Sequence, residues 1–336
     1  MSKRIKIFII LIFVILGGIF FVSLFFKKSV KQENSKVESF VLAENNENNG
    51  GNILKDEKNK FSINSKLKYC NFFPKKRKKY SLKLRDKAGI AVLFDRQGRT
   101  KILYQKNIKK RLPIASLTKM MTAMVVVDNY DLNKIVTVSK KAISTPEETG
   151  KLSPGEKISV KGLLDLALLV SSNDAAAALA EIMGEKKFVQ LMNEKAEKIG
   201  LENTHFENPH GLNAKNHYST AEDLVLLTHY SLVNYPQIWE ILGEKQDVIK
   251  TYDPAGRIIT HCPNNTNKLL GEDYVLGGKT GYTEEAGDSM ILAMKAPGAA
   301  EGDIVLVLLG LGVAERIPRT KNLYDWLRWS WDWGEF

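Results

Sequence analysis

Pro113-Ile114-Ala115-Ser116-Leu117-Thr118-Lys119-Met120-Met121-Thr122 sets a hydroxyl and an amine three positions apart in an apolar segment. Leu117, Met120, Met121, Met124 and Val125 recur at i, i+3, i+4, i+7 and i+8. That spacing predicts a helix with a stripe buried against a core, started at Pro113 and carrying Ser116 in its first turn. Residues three apart share a helix face, so Ser116 and Lys119 would be neighbours. A serine hydroxyl is a weak nucleophile at neutral pH, and a lysine in apolar surroundings can take its proton. Alone, the fragment also reads as a helix start with an exposed lysine, so partner motifs must decide.

Outward from this helix the chain changes period. Upstream, Gly89-Ile90-Ala91-Val92-Leu93-Phe94 and Lys101-Ile102-Leu103-Tyr104 flank Asp95-Arg96-Gln97-Gly98-Arg99, the pattern of a β-hairpin. Downstream, Val160 to Val170 reads as an apolar helix that stops at Ser171-Ser172-Asn173-Asp174, where Asn173 or Asp174 can cap an alanine-rich helix running to Met183. Phe188 to Ile199 is a further helix closed by Gly200, and Ser219-Thr220-Ala221-Glu222 opens another. Tyr274 to Thr280, Ser289 to Lys295 and Asp303 to Leu311 read as strands, followed by a terminal helix from about Ile317 through Trp331. Strands at both ends with helices between predict an α/β chain of α+β type. Its mainly antiparallel sheet is formed by N- and C-terminal strands, with an inserted helical subdomain.

The front of the chain has a different character. Of the net charge of +11, residues up to Leu112 carry +19 and the remainder −8. The basic tract Lys75 to Lys79 is followed by no base-reading module, which argues against nucleic acid as a partner. Anionic lipid or an anionic cell-wall polymer fits the charge better. Ile7 to Phe26 is an uncharged apolar run preceded by Lys3, Arg4 and Lys6, long enough to cross a bilayer. A cleavable signal peptide has a shorter apolar region with a small-residue site close behind it, whereas Lys27 and Lys28 follow here directly. The expected organisation is a membrane anchor, or a signal peptide, at 1–26, a flexible polar stem at 27–83 and a catalytic domain at 84–336. The positive N-terminal flank favours a cytoplasmic N-terminus and places the rest outside. Cys70 and Cys262 have no C-x-x-C spacing and leave pairing open.

Two further motifs follow Ser116-x-x-Lys119 in order: Ser171-x-Asn173, 55 residues on, and Lys279-Thr280-Gly281, a further 108 residues on. Each alone is commonplace, a helix cap and a strand end. Together, at a helix start, a turn between helices and a strand, they resemble the active-site serine penicillin-recognising enzymes. Thr204-His205-Phe206-Glu207-Asn208-Pro209-His210-Gly211-Leu212, His217-Tyr218-Ser219-Thr220-Ala221-Glu222-Asp223-Leu224 and Asn265-Thr266-Asn267-Lys268-Leu269-Leu270 narrow the likeness. They point to the low-molecular-mass penicillin-binding proteins, serine-type D-alanyl-D-alanine carboxypeptidases, from about Gly89 to the C-terminus.

The resemblance implies a β-lactamase/transpeptidase-like fold and a hydrolase that removes the terminal D-alanine from peptidoglycan stem pentapeptides through an acyl-enzyme on Ser116. It implies Lys119 as the base, kept neutral part of the time by burial and by Lys279 as a second cation, and Ser171 as the proton relay to the leaving amine. Asn173 would hold the substrate's peptide group, and Lys279 with Thr280 its terminal carboxylate. Gly277, Gly278 and Gly281 would leave room for substrate, and the N–H groups of Ser116 and Tyr282 would form the oxyanion hole. No cofactor or metal is implied: the spacings of His205, His210 and His217 do not resemble H-E-x-x-H, and the Phe206 to Leu212 stretch reads as a structured loop under the site. β-Lactam antibiotics would be covalent inhibitors, and the site would lie outside a bacterial cytoplasmic membrane. The rival readings are an endopeptidase of peptidoglycan crosslinks, a β-lactamase and a non-catalytic wall-binding protein. No E-x-x-x-N element lies between Asn173 and Lys279, which weakens the β-lactamase reading.

Overall fold

The structure, a computed structural model, describes residues 74–334 apart from 78, 79, 81, 148 and 299. Its strands and helices run β1 (Lys75–Lys76), β2 (Ala88–Asp95), β3 (Thr100–Lys106), α1 (Lys119–Asn129), β4 (Ile135–Thr137), β5 (Lys157–Ser159), α2 (Val160–Leu169), α3 (Asn173–Glu181), α4 (Glu185–Ile199), α5 (Ala221–Asn234) and α6 (Pro236–Gly243). They continue through β6 (Ile249–Tyr252), β7 (Ile258–His261), β8 (Val275–Gly281), β9 (Asp288–Lys295), β10 (Gly302–Leu311), α7 (Arg316–Ser330) and β11 (Trp331–Asp332).

Five strands form one antiparallel sheet in the order β3-β2-β10-β9-β8, so early and late strands of the described residues meet at the β2–β10 pairing, as the sequence predicts. Both faces of this sheet are covered, which is why its central strands read as unbroken apolar runs. Side chains alternate between the two layers. Ile90, Val92, Val305 and Val307 join the helical core, while Leu93, Ile304, Leu306 and Leu308 pack under α7 with Leu323, Leu327 and Trp331.

The signature segment is buried more completely than its stripe requires. Leu117, Met120, Met121, Met124 and Val125 are fully buried, and so are Lys119 and Thr122 on the remaining face. α1 is therefore a central helix with core on every side of its first two turns. It also begins later than expected. Pro113 lies outside the helix, and a 3₁₀ turn over Ala115–Thr118 leads into it.

Three departures from the sequence reading concern local structure. The cap of α3 is Ser172, whose hydroxyl accepts from the Ala175 N–H, rather than Asn173 or Asp174. A second sheet, in the order β4-β5-β6-β7, includes a hairpin absent from the sequence reading, turned by Asp253-Pro254-Ala255-Gly256. It is tied internally by Glu156, which accepts from Thr251 Oγ1 at 2.5 Å and lies 2.6 Å from His261 Nε2. Finally, the end of the expected stem is part of the fold: β1 pairs with β11, and Lys101 Nζ donates to the Pro74 carbonyl at 2.7 Å. The apolar run Ile7–Phe26, most of the stem and Cys70 lie outside the described residues, and Cys262 is exposed. Among the described residues no helix is long and apolar enough to cross a membrane.

Candidate active site

The turn before α1, the turn between α2 and α3 and the end of β8 converge on one cleft of about 510 Å³. Ser116 sits on the 3₁₀ turn and Lys119 opens α1 beneath it. Lys119 Nζ lies 2.9 Å from Ser116 Oγ, 2.7 Å from Asn173 Oδ1 and 2.8 Å from the His210 carbonyl oxygen. A fully buried amine thus stands in proton-transfer range of a hydroxyl that lines the cleft.

Ser171 faces this pair from the second turn, and Lys279 Nζ donates to its Oγ at 2.8 Å and to the Thr280 carbonyl at 3.1 Å. Lys279 has no exposed surface. Burial first, then the charges of Lys119 and Arg316, hold its pKa well below the ordinary lysine value. The two lysines are close enough to repel, as the resemblance implies. Ala115 (φ +48°) and Ser171 (φ +67°) both occupy the left-handed region, one beside Ser116 and the other itself a serine of the cleft. Such strain in non-glycine residues collects at functional sites.

The structure brings together Ser116, Lys119, Ser171, Asn173, Lys279, Thr280, Gly281 and Tyr282, and it adds contacts that the sequence does not show. Asn173 is engaged at both ends of its amide: Oδ1 accepts from Lys119, and Nδ2 donates to the Pro146 and Glu147 carbonyls. It orients the amine and pins the loop before α2. Lys279 works beneath the cleft surface rather than on it. At the surface itself stand Thr280, whose hydroxyl donates to Thr266 Oγ1 at 2.6 Å, and Arg316. The glycines serve the protein's own packing. A β-carbon at Gly278 would meet the Ile291 carbonyl at 2.4 Å, and one at Gly277 would press on Trp239 at 3.1 Å. One at Gly281 would come within 3.2 Å of the Ser116 nitrogen, so the end of β8 lies flush against the nucleophile turn. Tyr282 follows at the mouth, 42% exposed.

Arg316 escaped the sequence reading. It pairs with Asp288 at 2.9 Å and reaches the Gly281 carbonyl at 3.3 Å. Its segment, Ala314-Glu315-Arg316-Ile317, carries no motif. Only the sheet order β10-β9-β8 places the start of α7 beside the end of β8. The loop from Phe206 to Leu212 does underlie the site, as its sequence suggests. Pro209 and His210 offer carbonyls to Thr122 (2.6 Å) and Lys119, and Gly211, at φ +91°, packs so closely that a β-carbon there would lie 2.0 Å from the Ala115 oxygen. Burial, with Lys119 adding repulsion, pushes the His210 pKa down to about 3. Among the described residues no group of His, Cys, Asp and Glu is arranged to hold a metal ion.

Known proteins resemble this chain in sequence and in fold. The chain is 37% identical over 225 residues to the D-alanyl-D-alanine carboxypeptidase DacF of Bacillus subtilis, an alignment covering 64% of this chain and 56% of the relative. It is 34% identical to DacC of Escherichia coli, covering 67% and 58%, and 36% identical to a D-alanyl-D-alanine endopeptidase of Pseudomonas aeruginosa, covering 61% and 66%. The alignments thus span little more than half the length of the first two relatives. The crystal structure of the Streptomyces K15 DD-transpeptidase superposes with a TM-score of 0.67 at 28% identity, covering 74% of this chain and 99% of that one. The sequence profile of the D-alanyl-D-alanine carboxypeptidase family, Peptidase S11, matches residues 77–311, and the chain belongs to that family.

Proposed function

We propose that the chain is a serine-type D-alanyl-D-alanine carboxypeptidase acting on peptidoglycan stem peptides. The observation that carries this reading is the double pairing of hydroxyl and amine, Ser116 with Lys119 and Ser171 with Lys279, on one cleft. Ser116 Oγ attacks the carbonyl between the two D-alanines as Lys119 Nζ takes its proton. The oxyanion that forms accepts from the Ser116 and Tyr282 N–H groups. Ser171, polarised by Lys279, relays the proton that Lys119 took from Ser116 to the departing amine, so that free D-alanine leaves and Lys119 is neutral again. Water then attacks the acyl-enzyme with Lys119 as base, releasing the shortened peptide and restoring Ser116. The terminal carboxylate is received by the Thr280 hydroxyl and the Arg316 guanidinium, with Lys279 adding positive potential from below. The uncharged run Ile7–Phe26 supports an N-terminal membrane anchor with the catalytic domain outside the cytoplasmic membrane, and β-lactams fit as acylating inhibitors.

Incubation with a pentapeptide muropeptide, followed by mass spectrometry, should show loss of one D-alanine. Release of monomers from crosslinked dimers instead would move the reading to the endopeptidase, whose P. aeruginosa representative is similarly related. Penicillin should form a stable adduct on the peptide containing Ser116, and Ser116→Ala should abolish it. An adduct that survives that substitution would remove Ser116 as nucleophile.

A further inference from the structure

The oxyanion donor at Ser116 is governed by an atom on the other side of its peptide bond. The Ser116 N–H and the Ala115 carbonyl belong to one peptide plane and, in a trans bond, point in opposite directions. Whatever holds the Ala115 oxygen therefore aims the Ser116 N–H. The holding is needed because Ala115 sits in the left-handed region at φ +48°, which an L-residue leaves readily unless its surroundings restrain it.

The side-chain restraint is Thr118. Its hydroxyl, fully buried, donates to the Ala115 oxygen at 2.8 Å. A hydroxyl has one proton, so the 2.7 Å contact between Thr118 Oγ1 and His217 Nε2 requires the histidine to be the donor. The other ring nitrogen agrees, since Nδ1 accepts from the Glu207 N–H at 3.2 Å and so carries no proton. Both bonds are satisfied only by the neutral ring protonated at Nε2. His217 is 4% exposed with Phe206 edge-on at 5.7 Å, and burial pushes its pKa down to about 4. The titratable groups facing it are Glu207, which favours its charged form, and His205 and His210, which oppose it. His217 makes none of the hydrogen bonds that join Ser116, Lys119, Ser171 and Lys279, and it is absent from the cleft wall.

We propose that His217 is a positioning residue for acyl transfer: by donating to Thr118 it commits the threonine proton to the Ala115 carbonyl, which aims the Ser116 N–H into the oxyanion hole. Without that donation Thr118 is free to rotate toward other acceptors, and the Ala115–Ser116 peptide loses its only side-chain restraint among those described here. The proposal rests on the serine acyl-transfer reading above.

The test is stopped-flow acylation of the full chain by a fluorescent penicillin, resolving the noncovalent dissociation constant from the acylation rate. His217→Met, which keeps bulk but not the donor, should slow acylation about tenfold and leave the dissociation constant within about twofold, a fraction of the 10²–10³ that losing an oxyanion donor outright costs. His217→Gln, whose amide N–H reaches about as far as Nε2, should recover most of the rate. Thr118→Val should match His217→Met, Thr118→Ser should match the parent, and the double variant Thr118→Val/His217→Met should be no slower than Thr118→Val alone, as expected of residues acting in series. The proposal is overturned if Gln is no better than Met, if the two losses multiply, or if neither slows acylation. Should His217→Met not fold, Thr118→Val against His217→Gln carries the comparison: a slow Val variant beside a fast Gln variant supports it, and equal rates overturn it. A parent chain that penicillin does not acylate at all would instead defeat the underlying reading.

Discussion

Burial sets the energetics of Lys279: no water reaches its ammonium, and Lys119 and Arg316 add repulsion, so its pKa lies well below the ordinary value of 10.5. The sign of the linkage follows. Below 10.5 the unfolded chain binds a proton that the folded chain resists, so this residue costs stability at neutral pH and costs less as pH rises. Lys279→Met, similar in bulk and uncharged, should therefore raise the melting temperature by a few degrees, in the range of stabilising substitutions of about 1 kcal/mol, while acylation by penicillin falls to background. Calorimetry and labelling on one preparation check both, and a lower melting temperature would show that the Ser171 bond outweighs the burial. His217 runs the same way. Its ordinary value near 6.5 drops to about 4, so its contribution is complete above pH 6.5 and is lost as pH falls toward 4, at up to about 1.4 kcal/mol per pH unit. A plot of unfolding free energy against pH should be flatter over that window in His217→Gln than in the parent. At this scale the sequence was informative where a motif names an atom, as at Ser116, Lys119 and Ser171. It was silent where a side chain's partner is set by packing: nothing in Ser171-x-Asn173 shows that the Asn173 amide bonds Lys119 and the 146–147 backbone.

At the scale of elements, the machinery depends on how α3 begins. Ser171 lies just outside the helix, Ser172 caps it and Asn173 is its first residue, so the cap fixes the spacing between two site groups. Ser172→Ala removes the acceptor of the Ala175 N–H in a fully buried setting, which should cost about 1 kcal/mol of stability. Acylation should slow as well, because the first turn carries Asn173 and with it the orientation of Lys119. Chemical denaturation with parallel labelling measures the two together; a stable variant with unchanged labelling would show that the turn is held elsewhere. The hairpin, the apolar helices and the three late strands were legible because each shows its period over seven or more residues with turn residues at its ends. β6 and β7 show theirs over four residues each, too short for alternation to stand out, although Asp253-Pro254-Ala255-Gly256 between them is a turn signal that could have found them. The cap of α3 was misplaced because Ser172, Asn173 and Asp174 are all good caps, and only the backbone angles select one.

For the whole molecule, the question is where the catalytic domain starts. Composition places the boundary near residue 83, since Asn, Lys, Glu and Ser dominate the preceding stretch and composition cannot register a two-residue strand. In the structure, residues as early as Pro74, the first described, already belong to the fold. β1 pairs with β11, the Arg77 N–H donates to the Ser330 carbonyl at 2.6 Å, Lys101 reaches the Pro74 carbonyl, and Trp326 Nε1 donates to the Tyr80 carbonyl at 3.0 Å. These contacts close the layer of α7, Trp331 and Trp333 that covers one face of the main sheet. A chain beginning at residue 84 loses several backbone hydrogen bonds and uncovers aromatic surface, each bond being worth roughly 1 kcal/mol. A chain beginning at residue 74 should accordingly melt several degrees above one beginning at 84. Both should be labelled by penicillin at similar rates, because among the described residues no group of the cleft lies before Ser116. If the anchor proposal holds, both should also remain in the supernatant when mixed with anionic vesicles, while the full chain sediments with them. Equal melting temperatures would return the boundary to residue 83. Sedimentation of the 74–336 chain would locate a lipid contact in the domain itself, where Tyr80 and Trp329 are the large exposed aromatics nearest the β1–β11 edge.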